Sequence, residues 1–241
     1  MRAAVATALL LLIVAQAMRR GPGIAARVAT LAARGRGRTR YGWALGTAVT
    51  FALPALLALL LVGRADALWT MPPELIRLAW GWGLPAATGP DLPWLFGSLA
   101  LGAAIGTAAL LMRRRLGRGS WGLAYRSPAA ARNRCEWGGA AAIAVAAGVG
   151  EEAFFRLALP LVAGLATGSM AAGLALATIA FGLAHRHQGW AGMVATTLVG
   201  AALAWVYLWT GALWVAMLLH VVVDLNALIL RPWLDRPLRP A

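Results

Sequence analysis

Seven apolar runs constrain the fold of this 241-residue chain more than anything else in it. They occupy positions 3–17, 41–62, 93–112, 137–162, 170–185, 190–209 and 212–230. Most of them approach the roughly 20 residues a helix needs to cross a hydrocarbon core of about 30 Å. With no water in that core, each helix must bond its own backbone groups. The composition agrees: 61% of residues are hydrophobic and 12% charged, against about 25% charged in a soluble domain. The predicted fold is therefore all-α, a polytopic transmembrane helix bundle of about seven spans. The run 3–17 is short, and Arg2 ahead of it with Ala15-Gln16-Ala17 at its end also fits a cleavable signal peptide. The arginines that follow resist translocation, which favours a retained span.

The 22 basic residues are all arginine, and 8 acids leave a net charge of +14. Such a balance can mark a nucleic-acid binder, but its placement points elsewhere. Arg19, Arg20, Arg27, Arg34, Arg36, Arg38 and Arg40 follow the first run. Arg113, Arg114, Arg115, Arg118, Arg126, Arg132 and Arg134 lie between the third and fourth, Arg186 between the fifth and sixth, and Arg231, Arg236 and Arg239 in the tail. The opposite connections carry Arg64 and Arg77 offset by Asp66, Glu74 and Asp91, or no charge at all. Positive loops stay in the cytoplasm, so the N-terminus is predicted outside and the C-terminus inside. Topology and anionic lipid absorb the charge; the bilayer is the expected partner and nucleic acid is not. The stretch 67–92, with Trp69, Trp80 and Trp82, reads as an interfacial segment. The single Cys135 rules out an intrachain disulfide, and no Cys and His cluster has the spacing of a structural zinc site.

An ionisable side chain within a span costs roughly 2.5 to 3.5 kcal/mol on insertion scales, so each needs a partner or a purpose. Glu151, Glu152 and Arg156 lie in the fourth run, His185 closes the fifth, and His220 and Asp224 lie in the seventh. His187, beside Arg186 at a helix end, reads as a solvated loop histidine. Glu152 and Arg156 stand at i,i+4 with the acid first, the favourable order for a helical ion pair. Glu151 points about 100° away and has no local counter-charge. His220 and Asp224 share one helix face, and Phe181 and His185 repeat the spacing. A carboxylate kept from water can take and return a proton near neutrality, and an imidazole can donate to a developing oxyanion. With no GxSxG, no HExxH and no plausible cysteine nucleophile, these residues point to hydrolysis by activated water without a covalent intermediate. Residue types alone leave three alternatives: a zinc site, a proton or ion relay in a transporter, and a polar network that only clamps helices.

The three elements, in order, are Glu151-Glu152-Ala153-Phe154-Phe155-Arg156, Phe181-Gly182-Leu183-Ala184-His185 and His220-Val221-Val222-Val223-Asp224. They match EExxxR, FxxxH and HxxxN/D. Together with Tyr207 to Trp214 leading into the last, they resemble the CAAX-processing and bacteriocin-immunity (CPBP, or Abi) family of intramembrane proteases, which includes the prenyl-protein endoprotease called Ras-converting enzyme. The resemblance spans about 138–230 and implies a glutamate-dependent membrane endopeptidase without a cofactor, zinc being the alternative. It implies that Glu151 activates water, that His185 assists, that His220 and Asp224 serve the oxyanion, and that Glu152 and Arg156 support them. Prenyl-protein proteases carry Asn at the last position, which donates; an ionised Asp224 only accepts, so it must be protonated or act by holding His220. The resemblance divides the chain into an N-terminal transmembrane region (1–136), a catalytic helix core (137–230) and a short basic cytoplasmic tail (231–241). All-arginine usage with abundant Ala and Gly hints at a GC-rich bacterium, hence an inner-membrane protein. A prenylated CAAX substrate is doubtful there. The candidate roles are cleavage of a membrane-tethered peptide, bacteriocin self-immunity, and C-terminal sorting like that of the myxosortases. Glu151 lies about 21 Å into its predicted span at 1.5 Å per residue, whereas His185 sits at the cytoplasmic end of its own. A tilted helix or a later start of the fourth span is needed to bring them level.

Overall fold

A computed structural model describes residues 1–15, 38–85 and 127–234, together with positions 93, 97, 107–108, 111–112 and 115–116. Every regular element among them is helical. Helix α1 covers Arg2–Ala15, α2 Arg38–Leu61 and α3 Pro73–Gly81. Then α4, Trp137–Glu152, passes through a π-helical segment, Ala153–Ala158, into α5, Leu159–Thr167. The chain returns as α6, Met170–Ala184, and turns through Arg186–Gln188 into α7, Gly189–Thr210. Helix α8, Leu213–Leu225, continues through a second π segment, Asn226–Leu230, into α9, Arg231–Leu234.

Among the described residues, three helical stretches are long and apolar enough to cross a bilayer: Arg40–Leu61, Arg186–Thr210 and Leu213–Leu234. Arg2–Ala15 and Met170–Ala184 are apolar but shorter. Of the third expected span, 93–112, only positions 93, 97, 107–108 and 111–112 are described, and most of the arginine-rich connections lie outside the described residues. The fourth runs unbroken from 137 to 167, longer than 137–162 as read from sequence. The outward faces are those of a membrane protein. Helix α2 exposes Leu45, Val49, Leu53, Leu57 and Leu60, and Ile179, Leu198 and Val222 continue the apolar surface on α6, α7 and α8. The hydroxyls of Thr50, Thr178, Thr197 and Thr210 donate to the carbonyl four residues earlier, which hides them in their own helices.

Local chemistry sets the joints. Gly168 ends α5 with φ 75°, a left-handed cap that costs glycine no steric strain. Ser169 follows at once as the N-cap of α6, its hydroxyl accepting from the amide of Ala172. This tight hairpin has a consequence for depth. Glu151 lies as far before Gly168 as His185 lies after it, so antiparallel packing of α5 on α6 brings the two to one level. The mismatch noted from sequence disappears because α4 extends beyond that level.

Both π segments end two residues before a proline, Pro160 and Pro232. A proline ring inside an α-helix meets the carbonyl four residues back and brings no N–H to bond it. Widening the preceding turn relieves that conflict. The first π segment lies at the centre of the bundle, where α2, α6, α7 and α8 all reach it, and its six residues are all buried. The stretch around Trp69, Trp80 and Trp82 forms a short 3-10 turn and α3, which packs on α6 and α7. Trp82 stacks on Trp205 at 6.5 Å.

Cys135, exposed just before α4, reports on sidedness. A membrane-impermeant maleimide should label it in inverted vesicles and not in intact cells; the reverse result would overturn the arginine-based orientation.

Candidate active site

Glu152 is wholly buried, and two groups share its carboxylate. Arg156 Nε lies 3.1 Å from Oε2, the i,i+4 ion pair that the spacing predicts. His220 Nδ1 lies 2.6 Å from Oε1, and since a carboxylate can only accept, the imidazole donates. The sequence reading allowed Asp224 to orient His220, or both to face one ligand. Asp224 Oδ2 stands 3.8 Å from Nε2, outside hydrogen-bond reach, so Glu152 is the group that orients the ring. No local spacing could reveal this contact, because 68 positions and helices α5, α6 and α7 separate the partners. The backbones are close here: a Cβ on Gly148 would stand 3.0 Å from the carbonyl oxygen of Met217. Only glycine lets α4 and α8 approach to that distance.

Phe181 ties the second motif to the first and third. The Arg156 guanidinium lies 4.1 Å from its ring centre, within cation–π range. The His185 ring lies 4.7 Å away and the His220 ring 6.0 Å away, edge to face. His185 caps α6 and donates Nδ1–H to the carbonyl of Phe181 at 2.9 Å. Its Nε2 therefore faces Glu151, 3.9 Å from Oε2. That buried oxygen makes no hydrogen bond among the described residues.

A cavity of about 850 Å³ opens in front of this arrangement. Glu151, His185, His220 and Asp224 line it, while Glu152 and Arg156 lie behind its wall. Arg132 and Arg231 line it as well. His187 is exposed, as the sequence implied, yet its ring centre lies 5.8 Å from that of His185 and it joins the cavity lining. Among the described residues, no three His, Cys, Asp or Glu side chains are grouped so as to hold a metal ion.

Residues 134–226 match the family model of type II CAAX prenyl endopeptidases, Rce1-like. Over that stretch, less than half of its length, the chain is similar to the Rce1-like family. The family is one of proteases, and the matched stretch holds all seven defining residues of the three motifs. No curated protein and no solved structure matches the chain. The Rce1-like region contains the buried ion pair whose loss is the direct test of the core. Arg156→Met removes one of the two partners of the buried Glu152 carboxylate and breaks its ion pair, a change that costs about 3–5 kcal/mol. The thermal midpoint in detergent should fall by several degrees; an unchanged midpoint would show that the pair does not hold the bundle.

Proposed function

We propose that this protein is an intramembrane endopeptidase that hydrolyses a peptide bond of a membrane-associated protein or peptide with water activated by Glu151 and His185. The observation that carries the reading is the convergence of three helices on one cavity, with the unbonded Glu151 oxygen 3.9 Å from His185 Nε2. A water bonded to both at about 2.8 Å spans that distance at roughly a right angle. His185 Nε2 is available to accept from such a water because Nδ1–H is committed to Phe181.

In this mechanism Glu151 takes a proton as the water oxygen attacks the carbonyl carbon. The developing oxyanion receives a hydrogen bond from His220 Nε2, the ring being held at Nδ1 by Glu152. Asp224, near Nε2, stabilises the imidazolium form that such donation requires. Glu151 then returns the proton to the leaving amine, and the tetrahedral intermediate collapses with no covalent enzyme adduct. The course proposed is metal-free: the Glu152 carboxylate is already divided between Arg156 and His220, and the remaining donors form no metal-binding group among the described residues. The cavity is assigned to the cytoplasmic side because Arg132 and Arg231, from two of the basic segments, are among its lining residues. Its substrate is a membrane-tethered peptide, as in bacteriocin immunity or C-terminal signal processing, and the membrane is the bacterial inner one.

In detergent, with a membrane-peptide library, Glu151→Gln should lower kcat by about 10²- to 10⁴-fold without moving the melting midpoint. His220→Ala should lower it by about 10²- to 10³-fold, and a chelator should have no effect. Activity that survives Glu151→Gln would sink the assignment, and loss on chelation would establish a metal course instead.

A further inference from the structure

Three residues past His185 the chain reaches Gln188, the last residue of the turn Arg186–Gln188. Its backbone amide donates to the carbonyl of His185 at 2.9 Å. Gly189 follows at φ 78° and ψ 176°, a conformation that glycine alone takes without strain, and sends the chain into α7. Gln188 is thus held one tight turn from the histidine assigned to the attacking water, and its half-buried side chain lines the same cavity. Two features of α7 set where that side chain lies. A Cβ on Gly192 would stand 2.4 Å from the Cβ of Gln188 and 3.2 Å from its Oε1, so the side chain rests on the bare face of that glycine. Thr196, one turn further on and also in the lining, donates its hydroxyl to Oε1 at 3.4 Å. Thr197 beside it spends the same proton inside its own helix, on the carbonyl of Met193; Thr196 spends it on the cavity wall. The amino group of the Gln188 carboxamide makes no hydrogen bond among the described residues.

A peptide bond is open to attack only where the substrate's helix has unwound, and each N–H and C=O freed inside an apolar cavity has to find a new partner. A primary carboxamide presents a donor and an acceptor in one plane, the complement of a peptide group, and brings no charge beside Glu151 and His185. We propose that Gln188 is a substrate-positioning residue whose carboxamide, seated on Gly192 and steadied by Thr196, hydrogen-bonds the unwound substrate backbone close to the bond that is cut. The proposal rests on the proteolytic reading above and adds how the peptide is held in register: Glu151 and His185 act on the bond that Gln188 presents.

The test uses the full chain in detergent and reads binding and cleavage separately. The probes are fluorescent membrane peptides, rich in Leu and Ala with a central Gly-Gly break, each carrying one backbone ester in place of an amide, scanned across the break. An ester lacks the N–H and is the poorer acceptor. On the Glu151→Gln protein one ester position should weaken binding by about five- to tenfold, the scale of one lost hydrogen bond. Glu151→Gln/Gln188→Leu should bring that ratio to about one. Added to Glu151→Gln, Thr196→Val should shrink the ratio and Thr196→Ser should retain it, with the melting midpoint unmoved in each protein. In the cleavage assay with the all-amide peptide, Gln188→Leu should raise KM and spread the products over neighbouring bonds, read by mass spectrometry. An ester scan with no position whose effect depends on Gln188 would overturn the proposal, and so would a single unshifted cleavage site in Gln188→Leu. Gln188-dependent binding without any cleavage by the wild type would overturn the protease mechanism and leave the docking residue standing.

Discussion

One carboxylate organises the interior of this protein. Glu152 receives Arg156 from the next turn of its own helix and His220 from a helix far along the chain. Neither cation could sit at that depth unpaired, and neither could the carboxylate. The three groups therefore impose a mutual position on α4, the first π segment and α8, and Phe181 brings α6 into the same arrangement beneath the guanidinium. In a bilayer the apolar faces gain little by meeting one another, since lipid is as apolar as leucine. Polar ties of this kind and the close backbone approach at Gly148 are then what fix which faces meet.

The division of labour follows from that. Adjacent glutamates on a helix point in different directions, so one can be consumed by structure while its neighbour is left for chemistry. Glu152 is enclosed; Glu151 reaches the cavity with an oxygen that has no hydrogen-bond partner among the described residues. The hairpin at Gly168 and Ser169 supplies the remaining condition, because a two-residue turn between antiparallel helices fixes which positions lie opposite one another. It places His185, at the end of a short helix, beside Glu151 in the middle of a long one.

Much of this was legible in the sequence. Apolar runs, arginine placement and the three motif spacings gave the helical class, the ion pair within one helix and the set of residues that meet. What was not legible depended on contacts between helices. Spacing on α8 pointed His220 to Asp224, and only the packing of α8 on α4 shows Glu152 as its partner. The depth mismatch arose from treating each apolar run as one straight span of similar length, whereas α4 through α5 is long and α6 is short. The π segments did leave a sequence mark, a proline two residues beyond each. The segment 127–132 left none, because a distant arginine holds it by its backbone carbonyls, and half of its own residues are alanine.

The claim on which the rest depends is that activated water attacks the peptide bond directly. Single turnovers in H₂¹⁸O, quenched in acid and followed by intact-mass spectrometry of both enzyme and products, test it most directly. The account predicts ¹⁸O in the newly formed carboxyl group and an enzyme mass that never changes. A peptide-sized adduct on the enzyme that forms and decays within the turnover would contradict it.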